Sequence, residues 1–442
     1  MKMITFKRSL PIIMLVLFLI AQLAAGASNP SETALLYLQH LIAGDYQAAQ
    51  AMHNIQMQGA IDANGLRVAW EGLLLQAGPL RDIGQPFVEA QVPYTLVYIP
   101  CSFNTGVLDV LIVLDAEGLV AGLNFVPHQL RAGWQAPDYA EQELFNETNI
   151  KFGLPEWELN GVLTTPRTSD KYPVVVLVHG SGPQDMDSTM GANKIFKDIA
   201  WGLASRGIGV FRYDKRTVTH GDRMNPQTVT VEDEVIADAV AAVERVYGFP
   251  DVSSVFVLGH SLGGTLAPDI AARTAYANGM IIMAGTPRPL SDLIVEQITY
   301  LAGLDGTVAP EEQAVIDGLT AQTAALNERT MPADELILGA PAVYWYDLLN
   351  RNPIETLQAS GKPALFLQGE RDYQVTMKDW QLWRDALHGD AGRYTFKSYP
   401  LLNHLFMAGS GPANPQEYEV PGHVDVQLID DIAQWIMSQT AQ

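Results

Sequence analysis

From residue 170 onward the chain alternates two hydrophobic patterns. Residues 174–178 form an unbroken apolar run, residues 195–203 carry apolar side chains three and four apart, and residues 207–211 are apolar again. Helical spacing returns over 231–247, where Ile236, Val240, Val243 and Val246 share one face. The pair repeats as 255–258 and 262–272, and residues 280–283, 364–367 and 394–399 supply further short runs. Such short, mostly apolar runs predict strands covered on both faces, since a side chain on either side must meet an apolar neighbour. Alternating with helices, they predict a mostly parallel sheet covered on both faces, an α/β domain. Residues 284–362 break the alternation with mostly helical sequence, including 311–326. An insertion placed after a strand, here about 287–358, is expected to cap the crevice at the strand ends.

The N-terminal part reads differently. Helical patches over 34–42 and 66–74 are punctuated by Gly44-Asp45 and stopped by Gly78-Pro79. Three β-branched runs follow, 95–99, 107–114 and 119–126, separated by Asn104-Thr105-Gly106 and Ala116-Glu117-Gly118. Helices followed by an antiparallel meander predict a small α+β domain over 28–131. A linker is expected over 132–150 and the α/β domain over 151–442.

The first 27 residues follow neither pattern. Lys2, Lys7 and Arg8 precede an apolar run from Leu10 to Leu23, and Ala25-Gly26-Ala27 stands before Ser28. This is the layout of a secretory signal peptide, its apolar run shorter than the ~20 residues that span a bilayer. The expected product is secreted or periplasmic, with no stable membrane association after cleavage. The chain has 442 residues, 27 basic and 49 acidic, for a formal charge of −22. Cleavage would remove three cations and no acid, taking it to −25. That excess argues against a nucleic-acid partner, because phosphates are bound by Lys and Arg. Cys101 is the single cysteine, which excludes an intramolecular disulfide and a Cys-based metal centre.

Gly259-His260-Ser261-Leu262-Gly263-Gly264 lies between the run 255–258 and the helix 262–272. Gly-x-Ser-x-Gly at a strand–turn–helix corner holds a serine hydroxyl above the sheet at a helix N-terminus, where a developing anion is stabilised. Ser261 is therefore the candidate nucleophile. Its partners are expected later, in the order acid then His, at the ends of later strands. The run 364–367 leads into Gln368-Gly369-Glu370-Arg371-Asp372, where Asp372 is the preferred acid and Glu370 the alternative; Asp379, on the following helix, reads as solvated. His404 follows the run 394–399 and is preferred as base over the other eight histidines, none of which follows a strand in this order. His179-Gly180-Ser181-Gly182-Pro183 follows the first core run. Its glycines allow close backbone approach, so the N–H groups of Ser181 and Leu262 are the expected oxyanion donors and Gly180 and Gly182 line the substrate site. The motif lacks the Gly-Lys-Ser/Thr of a phosphate loop, and Asp185 and Asp187 read as solvated loop acids rather than metal ligands. Residues 212–216 read as local ion pairs. Tyr344 and Trp345 are candidates for an acyl pocket, with core packing as the alternative.

Together, residues 179–183, 212–216, 259–263, 368–373 and Asn403-His404 resemble the α/β-hydrolase superfamily. More narrowly they resemble bacterial carboxylesterases of the serine aminopeptidase-like branch, which carry a small N-terminal domain of NTF2-like or cystatin-like shape. The resemblance implies an esterase acting on small-molecule esters of short acyl chains. A Ser261–His404–Asp372 triad requires no metal or organic cofactor. Peptide or amide hydrolysis and acyl transfer are alternatives on the same residues. A non-catalytic binding protein is the alternative from another class, disfavoured by an intact nucleophile, acid and base.

Overall fold

A computed structural model describes residues 29–440 apart from 92–93, 129–133, 169 and 391; the expected signal peptide lies outside the described residues. The chain divides into two compact units, with the break between Gly133 and Trp134.

The N-terminal unit opens with four helices, α1 (Pro30–Ala43), α2 (Tyr46–Ala51), α3 (Ile55–Ala60) and α4 (Ala63–Ala77). Each starts on an Asx cap. Asn29, Asp45, Asn54 and Asp62 accept from the N–H groups of Ser31, Ala48, Met57 and Gly65, which the first helical turn leaves without partners. An antiparallel sheet follows, formed by β1 (Leu80–Ile83), β2 (Phe87–Gln91), β3 (Tyr94–Phe103), β4 (Gly106–Leu114) and β5 (Val120–Pro127). The order is β1-β3-β4-β5, with β2 also pairing β3. Tyr37, Leu38, Leu41, Leu66 and Trp70 pack with Val97, Ile99, Cys101, Val110 and Ile112 as its core. The sequence predicted three strands; β1, which is largely exposed, and β2 extend that meander.

The second unit begins earlier in sequence than expected. β6 (Phe145–Leu154) starts inside the stretch predicted as linker and pairs antiparallel with β7 (Trp157–Pro166). Most of its positions are exposed, so there is no apolar run to read. Then come β8 (Tyr172–Val178), the short ribbon β9 (Thr189–Met190) with β10 (Asn193–Lys194), α5 (Ile195–Ala204), β11 (Gly209–Tyr213) and α6 (Arg216–Thr219). A π turn at Glu232–Ile236 leads into α7 (Ala237–Tyr247), followed by β12 (Val252–His260), α8 (Leu262–Ala272) and β13 (Ala277–Met283). The insertion holds α9 (Leu290–Ala302), α10 (Pro310–Asn327), the ribbon β14 (Leu336–Ile337) with β15 (Ala340–Pro341), α11 (Ala342–Leu349) and α12 (Pro353–Ser360). β16 (Ala364–Gly369), α13 (Met377–Leu387), β17 (Tyr394–Tyr399) and α14 (Val426–Thr440) complete the unit.

The eight strands β6–β8, β11–β13, β16 and β17 form one sheet in the order β17-β16-β13-β12-β8-β11-β7-β6. The hairpin β6–β7 is antiparallel and joins β11 antiparallel; every pairing from β11 to β17 is parallel. All seven residues of β8 and all six of β16 are buried, as the apolar runs required. This is the α/β-hydrolase fold with a helical insertion and a separate α+β unit. The chain passes from β8 to β11 on one side and then returns to place β12 on the other. Such a reversal leaves a crevice between the loops at the carboxyl ends of β8 and β12, where open α/β sheets bind ligands.

Two of the acids expected to be solvated, Asp379 and Asp187, are buried. Asp379 is fully enclosed and accepts from Thr286 Oγ1 and Arg288 Nε, both at 2.7 Å, because the insertion brings Arg288 over α13. Asp187 is bound by Arg212 Nε and Lys194 Nζ, each at 2.9 Å, and Arg212 also reaches Glu147 at 2.8 Å. Burial works to raise the carboxyls of Asp187 and Glu147, but the Arg212 guanidinium, with Lys194 at Asp187 and the Trp201 and Thr164 donors at Glu147, more than offsets it, so both lie below their ordinary values.

Replacing Arg212 by Met is expected to destabilise the unit by about 3 kcal/mol at neutral pH, because buried Asp187 keeps only Lys194 as its cation. Because the folded pKa of Asp187 is depressed, its contribution is present above the unfolded value near 3.8 and fades as pH falls through the lower folded value. Urea denaturation at pH 7 and pH 3 should therefore show the difference between wild type and variant narrowing at the lower pH.

Candidate active site

The turn from β12 into α8 is built by backbone crowding. A Cβ on Gly259 would overlap the carbonyl of Gly263, and a Cβ on Gly263 would overlap the carbonyl of Val178. Helix and strands approach this closely only because neither position has a side chain. Between them Ser261 takes φ 56° and ψ −118°, a conformation that costs a non-glycine residue about 1–3 kcal/mol. It is held there by hydrogen bonds from its N–H to the Met283 carbonyl at 2.9 Å and to its carbonyl from the Thr265 N–H at 3.0 Å. On the other side, a Cβ on Gly180 would lie 3.1 Å from the Ser261 Cβ, so the loop after β8 also needs glycine where it passes the serine.

His404 and Asp372 meet across the ends of β16 and β17. His404 Nδ1 donates to Asp372 Oδ2 at 2.7 Å, and both residues are buried. Asp372 Oδ1 accepts from the N–H groups of Gln374 at 2.8 Å and Val375 at 3.0 Å, and Gln368 Nε2 donates to Oδ2 at 3.2 Å. With these donors fixing the carboxylate, the neutral His404 carries its proton on Nδ1 and leaves Nε2 as a base. The His404 loop is braced by Asn403, whose side-chain oxygen accepts from the N–H groups of Leu405 and Met407. Glu370, the alternative acid, is exposed and accepts from Ser398 Oγ at 2.9 Å.

His260 sits beneath the base. Its Nε2–H donates to the His404 carbonyl at 2.9 Å, and the two rings lie 4.7 Å apart. Burial, with the neighbouring His404, pushes His260 down to about 3, so it is a neutral donor at ordinary pH. His179 is buried as well and donates to the Asp185 carbonyl; burial and Lys215 bring it to about 3.

Ser261, His404, Gly180 and Ser181 line one cleft, which encloses about 650 Å³ with its open mouth included. Met190, Leu290, Ile294, Val375 and Leu405 make its wall apolar, and Gln184, Gln297 and Gln374 add amides. No carboxylate is among the lining residues described. The N–H groups of Ser181 and Leu262 donate to no protein acceptor among the described residues. Gly182 is not part of the lining; it turns the chain with φ +79° behind the loop.

Tyr344 and Trp345, expected as acyl-pocket residues, lie elsewhere. Both are buried on α11, where each polar edge is satisfied within the core. The Tyr344 hydroxyl donates to Glu234 at 2.6 Å and the Trp345 indole N–H to the Ile337 carbonyl at 2.9 Å. The three glutamines of the cleft were missed, because isolated amides in loops and helices carry no spacing signal. Lys215 was read only as a member of an ion-paired run. The pairing to Glu234 is present at 2.6 Å, but the same ammonium also donates to the carbonyls of Gly180 and Gly182, each at 2.8 Å. Among the described residues, no three His, Cys, Asp or Glu side chains converge as a metal site.

Residues 170–409 match the family profile described as Serine aminopeptidase, S33, and residues 34–123 match DUF3887, a family of proteins of unknown function. Esterase EstD of Thermotoga maritima is 40% identical over 409 residues, spanning 92% of this chain and 95% of its own. Protein phosphatase methylesterase 1 of Gibberella zeae is 23% identical over 282 residues, covering 57% of this chain and 65% of its own. Among solved structures, Est1E from Butyrivibrio proteoclasticus aligns with a TM-score of 0.44 at 15% identity, over 66% of this chain and 99% of that one.

A Gly259→Ala substitution is expected to cost about 3 kcal/mol of stability, since the new methyl must displace backbone rather than a movable side chain. Thermal denaturation checks this against Gly389→Ala, where a Cβ would meet nothing within 4 Å.

Proposed function

The chain belongs to the serine aminopeptidase (S33) family of hydrolases, and on that premise we propose that it is a carboxylesterase working through a Ser261–His404–Asp372 triad. The observation that carries this reading is the 2.7 Å bond from His404 to buried Asp372, with His404 and the strained Ser261 opening on one cleft. The 40% identity to a protein named as an esterase supports the choice of bond.

Ser261 Oγ attacks the ester carbonyl while His404 Nε2 takes its proton. Asp372 keeps the ring in the required tautomer and stabilises the imidazolium that forms. The carbonyl oxygen, now an oxyanion, accepts from the unpartnered N–H groups of Ser181 and Leu262, helped by the N-terminal end of α8. The alcohol leaves with the proton from His404. Water then attacks the acyl carbonyl as His404 takes its proton, and His404 returns that proton to Ser261 Oγ as the acyl–oxygen bond breaks and the acid leaves. Every proton in the cycle moves between Ser261, His404, water and the substrate.

The apolar wall of Met190, Leu290, Ile294, Val375 and Leu405 suits a short acyl chain. An aminopeptidase needs a carboxylate to pair with the substrate ammonium, and the cleft lining offers none. We also propose that residues 1–27 direct export, on the strength of their three cations followed by an apolar run.

Protein beginning at Ser28 is expected to hydrolyse p-nitrophenyl esters of short acyl length, with turnover falling as the chain lengthens. Ser261→Ala should remove at least about 10⁴-fold of kcat, and Asp372→Asn a similar factor by letting the ring adopt the wrong tautomer. Glu370→Gln should keep wild-type rates. Loss of activity in Glu370→Gln, with activity retained in Asp372→Asn, would reverse the assignment of the acid.

A further inference from the structure

Behind the loop that follows β8, the ammonium of Lys215 is buried with three acceptors for its three protons: the Gly180 and Gly182 carbonyls at 2.8 Å and Glu234 Oε1 at 2.6 Å. Glu234 stands on the π turn before α7, and its other oxygen accepts from the Tyr344 hydroxyl at 2.6 Å. The Lys215 N–H in turn donates to the Gln184 carbonyl at 3.1 Å. One residue thus grips the loop 180–184 at three carbonyls.

The stereochemistry of the first grip matters. In a trans peptide the carbonyl and the following N–H point in opposite directions. Aiming the Gly180 carbonyl at Lys215 therefore turns the Ser181 N–H away from Lys215. Ser181 lines the cleft beside Ser261, and its N–H has no protein acceptor among the described residues. Glycines at 180 and 182 allow the loop to pass close to the serine, but they also leave its peptides free to flip. A flipped Gly180–Ser181 peptide would place an oxygen where a donor is required. A hydrogen bond from a buried cation, roughly twice as strong as a neutral one, opposes that flip.

We infer that Lys215 is the positioning residue of the oxyanion hole: its ammonium, paired with a Glu234 carboxylate that Tyr344 hydrogen-bonds, holds the Gly180 and Gly182 carbonyls and so presents the Ser181 N–H to the carbonyl attacked by Ser261. The inference rests on the esterase reading above, although the loop anchoring itself is observable without any substrate.

The test compares wild type with Lys215→Met/Glu234→Gln, which removes both buried charges and strands neither. Three quantities are measured: kcat and KM on a short p-nitrophenyl ester, inhibition by an alkyl trifluoromethyl ketone, whose serine adduct carries the oxyanion, and hydrogen–deuterium exchange of the peptide covering 179–184. In the folded double variant kcat should fall about 10²-fold, the size of losing one oxyanion donor, with KM within about threefold. Ketone affinity should fall in parallel, and exchange over 179–184 should accelerate while core strands stay protected. A folded double variant whose kcat, ketone affinity and exchange all match wild type overturns the inference. So does a variant with raised KM and unchanged kcat.

Tyr344→Phe, which leaves both charges in place, is the second variant and decides the matter should the double variant not fold. It should lower kcat and ketone affinity together by a few-fold, and wild-type values in both overturn the inference. If wild type itself hydrolyses no ester, the esterase reading fails, and exchange over 179–184 alone then decides whether Lys215 anchors the loop.

Discussion

The contact that the rest of the second unit depends on is backbone against backbone, where α8 meets the ends of β12 and β8. Gly263 lies against the Val178 carbonyl and Gly259 against the Gly263 carbonyl, with no side chain between them. That approach forces Ser261 into left-handed backbone geometry, and the hydrogen bond from its N–H to Met283 ties the turn to the neighbouring strand. The N-terminal end of α8 is thereby brought to the carboxyl edge of the sheet, beside the loop after β8. Everything the cleft contains is arranged around a position fixed by two missing Cβ atoms. The strain is tolerable because fully buried strands on either side leave the turn nowhere to relax.

A second constraint is electrostatic. Arg212 with Asp187, Lys215 with Glu234, Arg216 with Asp238 and Arg288 with Asp379 are ion pairs whose Lys or Arg members are buried or nearly so, close to the carboxyl edge of the sheet or the loops beyond it. Pairs of this kind add little net stability, since desolvation offsets their attraction, while removal of one member is costly. Their effect is geometric: each fastens a loop or helix start that the apolar core alone would leave free to shift. The face of the sheet that must hold irregular backbone in one arrangement is the face that carries the charges.

How much of this was legible in the sequence follows from which signals are local. The runs that became β8, β12, β13 and β16 could be read because a strand buried on both faces is apolar at every position. α8 and β17 appear with the limits the pattern suggested. Ser261, Asp372 and His404 were legible because each lies in the turn or loop that follows a predicted strand, β12, β16 and β17 in turn. β6 was not, since this edge strand is exposed at most of its positions and so has no apolar pattern to set it apart from a linker. The acids Asp187 and Asp379 were misread as solvated because burial of a charge depends on a partner far away in sequence, Arg212 in one case and Arg288 in the other. Tyr344 was misplaced for the same reason: its environment is set by Glu234, 110 residues earlier in the chain.

The order of the strands carries a consequence for how the protein comes into being. β17 is the outermost strand of the parallel edge and the last to be synthesised, and the base follows it, 143 residues beyond the nucleophile. A chain that ends before residue 400 has Ser261 but lacks His404. On the proposed mechanism the cleft is therefore completed from the far end of the chain, by the strand that the growing sheet receives last.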